Sequence, residues 1–308
     1  MKRCFLYPGQ GAQYSGMGKD LWTKSERVRG LFAEAADQTG IDFTQILFEG
    51  SDEELQKTEN TQAAVTLVSL SAMTFLAEQG ITSDVCAGFS LGEYPALVDA
   101  GVIAVQDVFK LVRKRGEFMA KASTGLDCGP SGMAAVLGLT FEEASDVLED
   151  LADDDVYLAN HSSPSQIVIA GSDIALEKAD TLFEKAGAMR FVRLKVSGPF
   201  HSPLMTAARD DLAEYLEDVR FSDPTKPVFS NATGKKINSG EVARKVCIDQ
   251  IVNPVRWVSI EGKLAEMDFD QVLEVGPGKV LTGLWKSFTK TLRCTPAGTV
   301  EAIMGIEV

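Results

Sequence analysis

Val85-Cys86-Ala87-Gly88-Phe89-Ser90-Leu91-Gly92-Glu93 starts as a short apolar run and ends in a serine bracketed by glycines. An unbroken apolar run is what a buried parallel strand requires, because both its faces are covered and it shows no alternation. Gly88-Phe89-Ser90-Leu91-Gly92 fits G-x-S-x-G, the tight strand-to-helix turn that lifts a serine hydroxyl above a sheet. Side chains at the two glycines would clash as the chain reverses. A second reading stays open, since Ser90-Leu91-Gly92-Glu93 is also a capping box in which Ser90 only caps the next helix.

Strands and helices alternate on either side of this stretch. The spacing predicts a strand over Arg3 to Tyr7, closing in the turn Pro8-Gly9-Gln10-Gly11, and a helix over residues 61–79 with Gly80 as its stop. Residues 227–230 and 271–275 read as further buried strands. This alternation indicates an α/β fold with a parallel sheet. The middle differs: strand 133–139, helix 140–151 with Thr140 and Glu143 as a capping box, strands 156–160 and 166–170 about a Ser-Pro turn, helix 174–186 ending at Gly187, and strand 190–196. That βαββαβ order is the ferredoxin-like pattern, and its start after the loop 123–131 implies a small domain inserted in a larger one.

The 308 residues are 45% apolar and 24% charged, as in an ordinary soluble globular protein. The longest apolar runs, such as 134–139, fall far short of the ~20 residues that span a bilayer, so no membrane role is expected. No signal peptide is visible, and the five scattered cysteines offer no CxxC or metal spacing, so a cytoplasmic location and no metal site are expected. A net charge of −14 argues against nucleic acid as a partner, and it obliges any anionic ligand to find a local positive patch.

A serine nucleophile needs a base, and the chain offers only His161 and His201. His201 lies in Gly198-Pro199-Phe200-His201-Ser202-Pro203, where Ser202 reads as a helix cap and Pro203 as the first helical residue. Positive partial charge at that helix end favours the neutral imidazole. His161, beside a hairpin turn, reads as structural. Gly9-Gln10-Gly11 is no dinucleotide fingerprint, because Tyr14 stands where a third glycine is needed. Such a loop can instead offer a backbone N–H to an oxyanion, paired with the N–H of Leu91; an ordinary turn is the other reading. Arg115 shares its helical stripe with Val108, Leu111, Val112, Phe118 and Met119, whereas Lys110, Arg113 and Lys114 fall off it. A guanidinium facing inward must meet an anion, either a structural carboxylate or a substrate carboxylate.

Together these pieces resemble the malonyl-CoA:acyl-carrier-protein transacylase family of bacterial fatty-acid synthesis. The resemblance rests on Pro8-Gly9-Gln10-Gly11-Ala12-Gln13, Thr61-Gln62, Gly88 to Glu93, Arg115-Gly116, Pro199-Phe200-His201-Ser202, Asn253-Pro254-Val255-Arg256-Trp257 and Val275-Gly276-Pro277-Gly278, in that order and nearly end to end. It implies a hydrolase-like α/β core (1–127 and 198–308) carrying a ferredoxin-like subdomain (128–197). It implies Ser90 as nucleophile, His201 as base, the main-chain carbonyl of Gln250 in place of an Asp, and the N–H groups of Gln10 and Leu91 as oxyanion hole. Arg115 would bind the malonyl carboxylate, Phe200 would favour malonyl over branched units, Gln62 would line the pocket, and Asn160 would lie on the small-domain side of the cleft. The implied partners are a coenzyme A thioester and holo-acyl carrier protein, with no metal or redox cofactor. For the carrier, Lys110, Arg113 and Lys114, with Lys286, Lys290 and Arg293, are candidate basic patches. Phe89 and Ala63 depart from the family's usual histidine and proline. The rival readings are a serine thioesterase or hydrolase, using an acid such as Asp153 to Asp155; an acyltransferase of a polyketide pathway; and a non-catalytic docking module.

Overall fold

The computed structural model describes residues 1–151 and 155–307. In chain order its strands are β1 (Arg3–Tyr7), β2 (Val85–Gly88), β3 (Ser131–Leu137), β4 (Val156–Ser163), β5 (Gln166–Ser172), β6 (Arg190–Arg193), β7 (Gln271–Glu274) and β8 (Cys294–Pro296). One sheet has the order β2-β1-β7-β8 and is parallel throughout. All five residues of β1 are buried, because helices cover both faces. The helix Thr58–Glu78 is buried around most of its circumference, including Thr61, Gln62, Thr66, Ser69 and Ser71, so it runs through the core rather than along a surface. It begins before the expected residue 61, with Asn60 and Thr61 N–H both bonded to the carbonyl of Lys57.

The second sheet has the order β4-β5-β3-β6, antiparallel throughout, which is the ferredoxin-like arrangement of a βαββαβ unit. The helices Phe141–Glu149 and Asp173–Lys185 complete it, and the capping box of Thr140 and Glu143 is formed. Alternation along β3 and β5 divides the sheet's two faces. Ala134, Val136, Ile167 and Ile169 pack under the two helices, whereas Met133, Ala135, Val168 and Ala170 join the main core. The insertion thus shares one face with the main core, and Val255 fastens it by bonding β4 at Ala159 and His161.

Residues 227–230 do not form the expected strand. Val228 makes a single bridge to Cys86 and Phe229 another to Lys236, while Ser230 N–H bonds Lys235. Pro227 has no N–H to give a ladder, and the backbone beyond it is committed to a tight turn through Asn231 to Gly234. The expected strand 190–196 stops at Arg193, and β4 runs on to Ser163, past the expected end at 160.

Glu261, on the helix Trp257–Ala265, is buried with no hydrogen-bond partner on either carboxylate oxygen. Burial pushes its pKa from the ordinary 4.5 up to about 8. The folded chain then holds a proton that the unfolded chain releases, so stability falls as pH rises from about 4.5 to about 8. Glu261→Gln should remove that slope, gaining at most about 5 kcal/mol over the wild type between those limits at ~1.4 kcal/mol per unit. Melting curves of both proteins at pH 5 and pH 8 measure it, and parallel losses would contradict it.

Candidate active site

Ser90 sits where β2 ends, in a 3₁₀ turn running from Ser90 to Gly92. A side chain on Gly88 would strike the carbonyl of Gly92, and one on Gly92 would strike the carbonyl of Tyr7, so both glycines are required by close backbone approach. The same contact holds the loop after β1 against the turn. Ser90 has φ 51 and His201 φ 61, the two positive values among described non-glycine residues. Their side chains meet, Ser90 Oγ lying 2.7 Å from His201 Nε2. Strain of this kind persists only where surrounding contacts impose it, and it is concentrated here on one interacting pair.

The capping reading of Ser90 is overturned. Its hydroxyl faces the imidazole, and its backbone conformation is not that of a cap. Glu93 closes no box either; its carboxylate turns inward to accept from Asn231 N–H (3.1 Å) and Gln250 Nε2 (2.6 Å). Ser202 also fails as a side-chain cap, because its hydroxyl donates to the Pro199 carbonyl at 2.6 Å, although Pro203 does open the following turn.

His201 Nδ1 is 2.8 Å from the main-chain carbonyl of Gln250. A carbonyl only accepts, so Nδ1 carries the proton and Nε2 presents a lone pair to the serine hydroxyl. Burial, together with the nearby Arg115 charge, pushes the His201 pKa down to about 4. Desolvation and a nearby cation both favour the neutral imidazole. The acid expected of a hydrolase is not at this position; Asp153 and Asp154 lie outside the described residues, Asp155 is exposed, and Gln250 holds the imidazole.

Arg115 is buried on the helix Val105–Ser123, on the stripe that the periodicity predicts. Its Nη1 donates to Gln62 Oε1 (2.8 Å) and Nη2 to Gln250 Oε1 (2.9 Å), while Nε has no partner. The Tyr94 ring lies 5.5 Å from the guanidinium carbon. No carboxylate among the described residues pairs with it, so the structural salt-bridge reading is overturned. Glu93 stands one layer behind, through Gln250; burial raises its pKa to about 7 against the lowering effect of its hydrogen bonds and Arg115.

Ser90, His201, Arg115, Gln10, Leu91, Gln62, Phe200 and Asn160 line one cavity of about 90 Å³, and of the residues expected at the site only Gln250 stands behind the wall. Phe89, Met119, Met133, Leu194 and Val196 complete the lining, the last three from the inserted subdomain or its exit. Asn160, on β4, has a buried Oδ1 without a partner. His161 lies outside, stacked on Phe141 at 4.8 Å. Among the basic patches, Arg113 and Lys114 both pair with Glu117, at 3.0 and 2.7 Å, which reduces that patch's free charge.

The acyl transferase domain family matches residues 4–305. The malonyl CoA-acyl carrier protein transacylase of Bacillus subtilis is 39% identical over 304 residues, covering 98% of this chain and 95% of that protein. This chain belongs to the malonyl CoA-acyl carrier protein transacylase family. The Staphylococcus aureus member is 34% identical over 99% of this chain and 98% of its own. Among solved structures, an acyl carrier protein S-malonyltransferase from Vibrio cholerae superposes with a TM-score of 0.95 at 36% identity, covering all of both chains. A malonyl-transacylase solved in complex with its type II PKS acyl-carrier protein superposes at 0.94 with 38% identity, over 99% of this chain and 98% of that one.

Two residues that sequence reading did not assign to the transacylase site stand directly behind it. Asn231 accepts from Ser90 N–H (2.6 Å) and donates to the Gly88 carbonyl (2.7 Å), spanning the turn from behind. No catalytic motif marks it, since it comes from the turn just past residues 227–230. Glu93 opens the helix Glu93–Asp99, and its one signal, the capping-box spacing, pointed to another role. Phe89, where the family usually has histidine, borders the cavity and packs edge-on against Trp257 at 5.4 Å. Phe89→His should shorten the life of an acyl ester on Ser90 more than it slows loading, because the change wets the wall without entering the Ser90–His201 bond. Hydrolysis of the isolated ester in both proteins measures this, and equal half-lives would make Phe89 a packing residue.

Proposed function

We propose that this chain transfers malonyl from malonyl-CoA to the phosphopantetheine thiol of acyl carrier protein, through an ester on Ser90. The observation that carries the reading is Arg115, a buried guanidinium beside a Ser–His pair with neutral amides for partners and no carboxylate. Burying that charge unpaired is costly, so the site is electrostatically incomplete until an anionic acyl group enters. Malonyl supplies one carboxylate, on the carbon next to its thioester carbonyl.

In the first half-reaction Ser90 Oγ attacks the thioester carbonyl as His201 Nε2 takes its proton. The oxyanion is held by the N–H groups of Gln10 and Leu91, and the coenzyme A thiolate leaves with the proton from His201. In the second, the carrier's thiol gives its proton to His201 and attacks the malonyl ester, and His201 returns that proton to Ser90 Oγ as it leaves. Gln250 keeps the imidazole tautomer, Gln62 and Asn160 line the acyl cavity, and Phe200 restricts branching at the acyl α-carbon. The exchange uses side chains, backbone donors and malonyl-CoA as substrate, without a metal or redox cofactor. The reading of residues 128–197 as a subdomain within a core of 1–127 and 198–308 is supported by the division into two sheets.

Incubation with malonyl-CoA should add one malonyl group to Ser90, detectable by peptide mass, and holo-acyl carrier protein should then remove it as malonyl-carrier. Release of free malonate at the same rate with and without carrier would identify a hydrolase instead, and an unlabelled Ser90 would defeat both.

A further inference from the structure

We infer that Glu93 is the positioning residue of this site, one carboxylate oxygen organising both the nucleophile and the acyl-carboxylate contact. The inference rests on the acyl-transfer reading above and extends it to a residue that never meets the substrate.

Glu93 Oε2 accepts two hydrogen bonds, from Asn231 N–H and from Gln250 Nε2. Each donor belongs to a residue that grips the backbone of Ser90. Asn231 Oδ1 accepts from Ser90 N–H, and Gln250 Nε2, besides its bond to Glu93, donates to the Ser90 carbonyl at 3.1 Å. Both peptide groups of a residue held at φ 51 are therefore fixed by side chains, and both of those residues are anchored on one oxygen, Asn231 through its main-chain N–H and Gln250 through its side-chain amide. The network continues outward from Gln250. Its Oε1 receives Arg115 Nη2, and its main-chain carbonyl receives His201 Nδ1.

Glu93 helps to orient the Gln250 amide. With Nε2 committed to the Glu93 and Ser90 acceptors, Oε1 faces the guanidinium; without Glu93, Nε2 keeps only the longer bond to the Ser90 carbonyl. The Glu93 carboxylate is buried, and its other oxygen, Oε1, has no partner. A buried polar group left half unsatisfied costs stability, so its retention calls for a return elsewhere. Holding the reacting groups in register is such a return, since misplacement by about 1 Å can cost ~10²-fold in rate.

The test separates an acceptor from a charge and a positioning role from a merely structural one. Glu93→Leu removes the acceptor, and Glu93→Gln keeps one; because Oε1 has no donor to lose, the amide oxygen can take both bonds. Glu93→Leu should lower kcat for malonyl transfer by about 10²-fold with KM for malonyl-CoA within about threefold. Glu93→Gln should recover kcat to within about fivefold of the wild type, through the same two bonds. A Glu93→Leu kcat within about threefold of the wild type would overturn the inference. So would a Glu93→Gln variant as slow as Glu93→Leu, which would assign the effect to charge. If Glu93→Leu does not fold, Asn231→Ala removes the grip on the Ser90 N–H directly. It should cost kcat at least about tenfold at unchanged KM, and an undiminished kcat would equally overturn the inference. Wild-type enzyme run in parallel must label Ser90 with malonyl; failure there removes the acyl-transfer reading itself, whereas failure of the Glu93 comparisons alone leaves that reading standing.

Discussion

Ser90→Ala is expected to abolish malonyl loading, and His201→Ala to lower it by at least a hundredfold with the fold intact. The serine change removes the atom that carries the ester, so no residual acylation is expected. The histidine change removes a general base, which typically costs ~10²–10⁴ in rate. The geometry already prepares this base: Nε2 is 2.7 Å from the hydroxyl, and the Gln250 carbonyl fixes the tautomer. A pKa of about 4 keeps the imidazole neutral throughout the range in which the protein would be assayed. Loss of activity from protonation of His201 therefore belongs near pH 4, and a loss centred near pH 7 must come from another group. Folding of His201→Ala is expected to survive, because the imidazole's two partners are a serine at the cavity wall and a carbonyl that water can satisfy. Single-turnover labelling of Ser90, followed by mass, measures both variants; near-normal labelling of His201→Ala would remove the dyad from the mechanism.

Arg115→Ala should cripple malonyl transfer while preserving or improving transfer of acetyl, which brings no carboxylate. Losing a charge-assisted, two-donor contact in a desolvated site costs about 2–5 kcal/mol, roughly a 30- to 5000-fold fall. Arg115→Lys should restore only part of it, because an ammonium lacks the planar fork. The structure sharpens this expectation. Since the guanidinium's partners are the amides of Gln62 and Gln250, removing it orphans no directly paired carboxylate, and a collapse in melting temperature is not expected. Glu93, whose pKa Arg115 lowers, should instead hold its proton to higher pH in the variant. Both acyl-CoA substrates are to be run on one preparation, with its melting curve. Equal losses for malonyl and acetyl would end the assignment of Arg115 to the carboxylate.

Much of this was legible in the linear sequence where the signal is local. The elbow is a pentapeptide in which Gly88 must clear the carbonyl of Gly92 within one turn of chain, and the periodicity of the helix Val105–Ser123 placed Arg115 inward without any tertiary knowledge. The βαββαβ order of the insertion emerged from caps, turns and alternation, each set by residues within a few positions of one another. What was misread is equally instructive. Residues 227–230 have the apolar character of a strand, but Pro227 and the turn after it direct the backbone elsewhere. Ser90 and Glu93 have the spacing of a capping box, yet distant partners outbid the local bonds that spacing offers.

The amino-acid sequence by itself determined the elements, the order in which they alternate, the turn that exposes Ser90 and the inward face of Arg115, since all of these follow from interactions between near neighbours. Only the tertiary structure decided what those groups meet. It is folding that brings Gln250 to His201, Asn231 to Ser90 and Glu93 to both, across separations of 49, 141, 157 and 138 residues. It also settled whether the buried guanidinium has a carboxylate of its own. No periodicity records such pairings, because a hydrogen bond depends on where two groups lie in space, and that is set by the packing of the entire core.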